Sequence, residues 1–502
     1  MFLFNLFRSS GVSVSAQKID KQALSILRQL TAKKFTAFLV GGCVRDILLN
    51  REPKDFDIVT DARPNQIKRL FRRSIIVGRR FKLAIVLMGD RQYETATFRR
   101  DPDDTASLQE QAKSGGSLYQ AHDNAYGTPE QDAYRRDFTV NALFWNPTSE
   151  KVIDYTGGLP DLKKRILRSI GDPNLRFQED PVRMLRAIRL SSRLGFSIHE
   201  ESLRAIENHG DCIRNASRPR VFDEILRLFT FAKSHDAISR LWETGLMEHL
   251  LPAVNAYIRK TGGKKSSLWN YLDAFDRLAP EFDTVNRESP RYIQENAIRL
   301  ATLLTPLFHA AVTEKRLATH AQIEAVARDI IQEIVVEPFK NENWRVPKLL
   351  CIDLANILIS LEFYRQNLSQ PGRWRRMINI PWFYTAFSLW KIAAEAERDN
   401  EAKTAIREWE KMFENYLSSP HPARRGNYIP VNPDTDGKHG FPGDQTENRD
   451  ALFPTPRKPA DSSRKRRRRK KTAGAESSPE TPSPAPELPA ETPAPSEQTA
   501  PA

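Results

Sequence analysis

Two rhythms of apolar residues divide this chain. In its first third, helical and extended patterns alternate. "KQALSILRQL" (21–30) puts apolar residues three and four apart, the spacing of a helix with one buried stripe. "FTAFLV" (35–40) is an apolar run of strand length, "VRDILLN" (44–50) a short helix, and "KDFDIVT" (54–60) a strand. "PNQIKRLFRR" (64–73) reads as a helix opened by Pro64, and "FKLAIVLMG" (81–89) and "YETATFRR" (93–100) as successive strands. "DFTVNALFWNP" (137–147) is a mixed, strand-like run. The polar segment from Asp101 to Gln131 is predicted to be a mobile loop.

Beyond residue 160 the β signals fade and helical spacing takes over, as in "PVRMLRAIRLSSRLGF" (181–196), "RVFDEILRLFTFA" (220–232) and "AISRLWETGLMEHLLP" (237–252). No fixed-period repeat is present. Near residue 420 the composition changes to "RKRRRRKK" (464–471) and then a Pro/Ala/Glu/Ser/Thr stretch that cannot bury enough apolar surface to fold. The expected fold class is α+β. Its parts are a flexible leader (1–18), a mixed head (19–155), a helical neck (156–230), a helical body (231–418) and a disordered tail (419–502).

At 502 residues the chain is too long for one ordinary domain, and a 40% hydrophobic content supports a sizeable core. A formal net charge of +14 points to a polyanionic partner, either nucleic acid or an anionic membrane surface. Three scattered cysteines, Cys43, Cys212 and Cys351, make no disulfide framework and fit a reducing cytosol. The apolar opening "MFLFNLF" is too short for a secretory signal, with Arg8 on the wrong side of it. No run approaches the ~20 apolar residues that span a bilayer. A soluble, cytoplasmic protein is expected.

The chemistry begins at "FLVGGCVRDILLNREPKDFDIVTDA" (38–62). On a strand Asp55 and Asp57 share one face, and two carboxylates so placed need neutralising. An isolated pair of this kind is ordinarily a solvated turn, but a hard divalent cation with substrate phosphates would also suit it. Three features favour the second reading. Gly41 and Gly42 make a turn through which backbone N–H groups can approach a phosphate. Glu94 is an acid inside an otherwise neutral strand pattern, able to complete a carboxylate triad. Arg135, Arg136 and Asp137 cluster before an apolar run, where arginine forks can engage phosphates. Two metals about 4 Å apart would hold both the attacking and the leaving oxygen of an in-line displacement, so phosphoryl or nucleotidyl transfer is implied.

A second block, "RFQEDPVRMLRAIRLSSRLGF" (176–196), offers Asp180 as an N-cap before Pro181. Behind it Arg183, Arg186, Arg189 and Arg193 form one basic stripe. That pattern fits a solvated helix face. It also fits an acceptor and a donor fork, Asp180 and Arg183, presented one turn apart to a base edge.

These motifs, with "ETATFR", "RRDFTVNAL", "DYTGGLPDLKKR" and "EDPVRMLRAIR", follow one another as in class II tRNA nucleotidyltransferases and bacterial poly(A) polymerases. Those enzymes belong to the polymerase-β nucleotidyltransferase superfamily, and the resemblance covers Ala23 to Phe196. "VGRRFKLAIV", "HDNAYGTPEQDAYRRDF" and the basic run resemble the poly(A) branch more than the CCA-adding one. The long extension after Lys471 is outside the family pattern.

The resemblance implies a small mixed-sheet nucleotidyltransferase head, a neck that recognises the base and an RNA-binding body. It implies that Asp55 and Asp57 ligate two Mg²⁺ ions, with Glu94 or Asp137 as the third working carboxylate. Gly41, Gly42 and Arg45 would hold the triphosphate, and Arg136 and Asn141 would line the nucleotide pocket. Asp180 and Arg183 would pair with adenine, Arg186 beside them, and Asp154–Leu162 would be a flexible connector. The implied reaction is attack of an RNA 3′-hydroxyl on the α-phosphorus of ATP, adding AMP without a template and releasing pyrophosphate. Its setting would be RNA turnover, with RNA-decay proteins as further partners. CCA addition to tRNA is the alternative, and a non-catalytic RNA-binding relative a third.

Two marks stand apart. "PGRWRRMINIPWFY" (371–384) interleaves Trp374 and Trp382 with arginines, which suits either a helical core or an RNA-stacking surface. His235-Asp236 hints at a metal-dependent phosphohydrolase, but the other histidines lack ligand spacing.

Overall fold

Short alternating runs build one mixed sheet, with two different packing layers on its faces. The structure is a computed structural model and describes residues 9–78, 82–100, 126–282, 293–317, 319–366 and 380–418. The strands are β1 (Ser9–Ser13), β2 (Ala37–Val40), β3 (Ile58–Thr60), β4 (Ser74–Val77), β5 (Leu83–Met88), β6 (Arg91–Thr97), β7 (Leu143–Trp145) and β8 (Lys151–Asp154). Their order across the sheet is β1-β8-β7-β2-β3-β6-β5-β4. Only β3 and β6 run parallel, with Ile58 opposite Thr95, while β2 lies antiparallel to β3 with Leu39 opposite Ile58.

The period of two sorts the side chains. Ala37, Leu39, Ile58, Ala84, Val86 and Tyr93 face the main core, where α1 (Lys21–Ala32), α2 (Gly42–Leu48) and α3 (Pro64–Leu70) cover them. Phe38, Val40, Val59, Phe98 and Phe144 form a separate small cluster on the opposite face, beside α4 (Pro129–Tyr134).

The sequence expectations need three adjustments here. The expected flexible leader contributes β1, an edge strand paired with β8, because Trp145 Nε1 donates to the Val14 carbonyl at 2.9 Å and Val14 is buried. The strand expected over 54–60 begins only at Ile58, with Asp55 and Asp57 leading into it. The loop expected through Gln131 ends in helix α4, where Thr128 and Gln131 cap each other. Residues 101–125 of that loop, Trp374 with its arginines, and the tail with its basic run lie outside the described residues.

The remainder is helical, with β9 (Ile166–Leu167) and β10 (Ser197–Ile198) as a small parallel pair. Residues 156–230, the expected neck, hold α5 (Gly158–Lys164), α6 (Pro173–Glu179), α7 (Val182–Leu194), α8 (Glu200–Asn208) and α9 (Arg218–Arg227). Residues 231–418, the expected body, begin with α10 (Ser234–Glu243), α11 (Leu246–Leu250), α12 (Pro252–Lys260) and α13 (Ser267–Phe282). It continues through α14 (Glu295–Glu314), α15 (His320–Ile331), α16 (Lys348–Gln366), α17 (Phe383–Glu397) and α18 (Asn400–Ser418). Its interior is aromatic: Tyr364, Trp390 and Trp409 pack with ring centroids 5.5–5.7 Å apart. Trp382 is half-buried against the same core. Among the described residues no helix is long and apolar enough to cross a membrane.

Candidate active site

Asp57 is held at the entrance to β3 by its backbone, whose carbonyl accepts the Val40 N–H at 3.1 Å. The parallel register, Ile58 opposite Thr95, puts Glu94 beside Asp57 on the neighbouring strand. Burial and the charges of Glu94 and Asp55 push the Asp57 carboxyl up to about 6, against the opposing pull of Arg136. Asp55 is exposed and lines an open cleft of about 730 Å³ together with Lys18, Lys54, Arg91 and Tyr93. Three oxygen-donor acids, two of which raise the proton affinity of the third, Asp57, are chemically suited to a hard divalent cation. Among the described residues, however, no three His, Cys, Asp or Glu side chains already converge as a ligand set.

Gly41 opens α2 at φ +79°, a conformation that favours glycine. Its lack of a side chain also matters, since a Cβ there would meet Arg136 Nη1 at 3.3 Å. Arg136 is fixed over this turn by Asp132 Oδ2, at 3.2 Å from Nε and 3.0 Å from Nη2, and its guanidinium lies 5.6 Å from the Phe144 ring centroid. A cation is therefore anchored beside both the glycine turn and Asp57.

Asp137 lies in a different environment. Burial alone would raise its carboxyl, but the Arg186 charge, the Asn141 amide and the Phe138 N–H hold it down at about 2. Arg186 donates to Asp137 Oδ2 at 2.9 and 2.6 Å, and Asn141 Nδ2 to Oδ1 at 3.1 Å. The other side of Asn141 accepts from Arg45, whose Nε and Nη2 reach Asp46 Oδ1 at 2.8 and 2.7 Å. Arg193 closes this belt at 3.0 Å from Asp46 Oδ2. Arg45, expected to grip a triphosphate, is only 2% exposed and is engaged by these internal partners. Its geometry suits positioning Asn141 rather than direct phosphate contact.

The arginine stripe on α7 is not a solvated face. Arg186 and Arg189 converge on buried Glu224 of α9 at 3.6 and 2.7 Å, while Arg193 reaches the head. Asp180, expected as the N-cap, makes no capping bond; Pro181 occupies that position. Arg220 takes the Asp180 carboxylate in a two-pronged grip at 3.0 and 2.8 Å, and Arg183 stands 3.9 Å away. Arg183 Nη2 donates to the Arg135 carbonyl at 3.3 Å, but its Nη1 is buried with no hydrogen-bond partner. The expected flexible connector is tied down as well. The Asp154 carboxylate accepts N–H groups from Thr156, Gly157, Gly158 and Leu159 at 2.9–3.1 Å, and a Cβ on Gly158 would stand 2.2 Å from the Thr139 carbonyl oxygen.

Sequence reasoning missed Asp46, Asp132, Glu224 and Arg220. The Asp132–Arg136 pair was visible as an i,i+4 spacing. Glu224 and Arg220 lie 35 and 40 residues from their partners and carry no local signal.

The family described as "Poly A polymerase head domain" matches residues 37–168, and "Probable RNA and SrmB- binding site of polymerase A" matches residues 195–258. The chain is 43% identical over 254 residues to Poly(A) polymerase I of Haemophilus influenzae, a match covering 50% of this chain and 56% of that one. It is 32% identical over 400 residues to Poly(A) polymerase I of Escherichia coli O157:H7, covering 79% of this chain and 83% of the relative. The Bacillus stearothermophilus CCA-adding enzyme in complex with CTP shares the fold, with a TM-score of 0.54 at 24% identity over 79% of this chain and 82% of that one.

Proposed function

The chain belongs to the bacterial poly(A) polymerase I family, and from that premise we propose that it adds AMP from ATP to RNA 3′ ends without a template, releasing pyrophosphate. The observation that carries the chemistry is the part-buried Asp57 at the entrance to β3, beside the exposed Glu94 of β6, Asp55 and Arg136. A part-buried carboxylate beside two other acids is costly unless something neutralises it.

Asp55, Asp57 and Glu94 are the residues to hold divalent metal, Mg²⁺ by the hardness of the donors. Bound there, the metal would ease deprotonation of the RNA 3′-hydroxyl and offset charge on the leaving pyrophosphate. The Gly41–Gly42 turn and Arg136 would receive the triphosphate. Asp137 orients Asn141 and Arg186 toward the nucleotide, and Arg45 supports Asn141 from behind. Arg183, with an unused buried donor, would read the base together with Asp180. The setting would be cytoplasmic RNA turnover alongside RNA-decay proteins.

CCA addition to tRNA is the second reading, favoured by the shared fold. One assay separates the two: purified protein and Mg²⁺ with either a generic RNA or a tRNA lacking its terminus, supplied with each NTP alone. Long extension from ATP alone is expected. Extension confined to tRNA lacking its terminus, with a requirement for CTP, would reject the poly(A) reading.

A further inference from the structure

The mixed sheet ends on an edge that the described chain leaves open. β4 is the outermost strand and pairs only with β5, with Ser74 opposite Val86 and Ile76 opposite Ala84. The Leu87 N–H donates to the Arg73 carbonyl at 2.9 Å. The alternation of an antiparallel ladder therefore turns the amides of Ile75 and Val77 toward β5 and those of Ser74 and Ile76 outward. Among the described residues nothing takes up the outward N–H and C=O of Ile76. The side chains divide as well. Ser74 and Ile76 share the face that α3 covers, in register with the core residues Val86 and Ala84. Ile75 lies on the other face and is 54% exposed; it is opposite Ile85, which is in turn opposite Glu94.

The surroundings of this edge carry charge of one sign. Residues 62–89 hold eight lysines and arginines and no aspartate or glutamate. Arg63, Lys68, Arg69, Arg72, Arg73 and Lys82 are exposed and make no ion pair among the described residues. The nearest acids in sequence, Asp61 and Asp90, pair with none of them. Charges on a sheet edge ordinarily discourage pairing with further strands. Cations alone exclude like strands but admit an acidic one.

Three other occupants fit less well. A second copy of this chain would bring two sets of cations together at the edge with no acid to offset them. The chain's own acid-bearing end does not suit a ladder: between Pro479 and Pro495 no more than three residues in a row lack proline, which donates no N–H. RNA would satisfy the cations, but it offers no strand to the amide row and nothing apolar to Ile75.

We infer that β4 accepts an added strand from a partner protein, an extended acidic segment with apolar residues at alternate positions. Its backbone would pair with Ser74 and Ile76, its apolar side chains would cover Ile75, and its acids would fall on the α3 side toward the cations there. The added strand would stand three strand spacings, about 14 Å, from Glu94, which brings the partner beside the candidate active site. This docking does not depend on AMP addition.

The test uses the full chain and a fluorescein-labelled peptide of alternating valine and glutamate, about eight residues long to match a strand. Binding is followed by anisotropy over a salt series with no ATP present. Wild type should bind this peptide at least about tenfold more tightly than its valine–lysine counterpart. Ile76→Pro removes the outward N–H while sparing the bonds to β5, and should weaken binding about tenfold. Ile75→Ser should weaken it about 3- to 10-fold, from the isoleucine surface the peptide would cover. The quadruple variant Lys68→Gln, Arg69→Gln, Arg72→Gln, Arg73→Gln should weaken it about fivefold or more and flatten its salt dependence. Ile75→Ser and the quadruple variant change exposed side chains, so both should melt as wild type does, and they decide the matter if Ile76→Pro fails to fold. No binding by wild type at about 1 mM peptide, equal binding of the acidic and basic peptides, or unchanged affinity in Ile75→Ser and the quadruple variant overturns the inference. Loss of oligoadenylate affinity in the quadruple variant with peptide affinity intact overturns it too, marking the surface as an RNA track. Self-association of wild type that Ile76→Pro abolishes would assign the edge to a second copy and overturn it as well. A chain that binds the peptide but adds no AMP defeats only the enzymatic reading, and one that extends RNA but ignores the peptide defeats only the docking.

Discussion

Two sets of acids lie close together in this molecule and have opposite electrostatic fates. Asp46, Asp137 and Glu224 are buried and saturated by arginines, and the Asp137 carboxyl is held near 2. Asp55 and Glu94 are exposed, and burial together with their charges pushes the part-buried Asp57 up to about 6 against the pull of Arg136. The difference is that the first set fixes α7, through Asp46 and Asp137 to the sheet region and through Glu224 to α9, whereas the second leaves charge that folding does not need. Uncompensated charge at an open face is the signature of a site, and a saturated network is the signature of a frame.

The strongest challenge to this contrast removes the open acids. Asp55→Ala with Asp57→Ala should abolish AMP addition, by about a thousandfold or more, as expected when metal ligands worth several kcal/mol of transition-state stabilisation are lost. RNA affinity should stay near normal in the same protein, and filter binding beside a gel extension assay reads both. Undiminished extension would refute the assignment. Asp137→Ala attacks the frame instead. It removes one of the two carboxylates that hold Arg186 and leaves Glu224 at 3.6 Å, so urea unfolding should show a loss of about 1.5–3 kcal/mol.

Acidity sharpens the same comparison. Because the Asp137 carboxyl is depressed from its ordinary value near 3.8 to about 2, the stability it confers is complete above pH ~4 and is lost as pH falls toward 2. The stability gap between wild type and Asp137→Asn should accordingly shrink by about 2 kcal/mol between pH 5 and 2, measured by parallel acid–urea titrations. The smallest effect belongs to Arg220→Ala. Its side chain is 54% exposed, so breaking its pair with Asp180 should cost under about 1 kcal/mol. Released from that grip, Asp180 should alter ATP-over-CTP preference if it reads the base, which competition between the two nucleotides would reveal.

Much of the head was legible in the sequence. "FTAFLV", "FKLAIVLMG" and "YETATFRR" gave β2, β5 and β6 because each is an apolar or alternating run of strand length. The pairing of Asp57 with Glu94 was foreseeable only as a coincidence of types, because 37 residues separate them and the parallel register decides it. β1 was hidden because "SSGVS" is polar and short, and it is recruited by the Trp145 indole rather than by its own propensity. The misreadings at Arg45 and Asp180 share a cause. Local spacing shows where a charged side chain starts but not which distant acid or arginine it ends on, and Asn141 and Arg220 lie far along the chain.

The contrast between site and frame is tested most directly by measuring AMP addition and melting temperature on two isosteric variants, Asp57→Asn and Asp137→Asn. Asp57→Asn is expected to melt at or above wild type, since a repulsive charge is removed, while losing about a thousandfold or more in AMP addition. Asp137→Asn is expected to melt below wild type yet lose no more than about 100-fold in activity, the range for a residue that orients others. A stable, active Asp57→Asn alongside a stable, inactive Asp137→Asn would contradict the account.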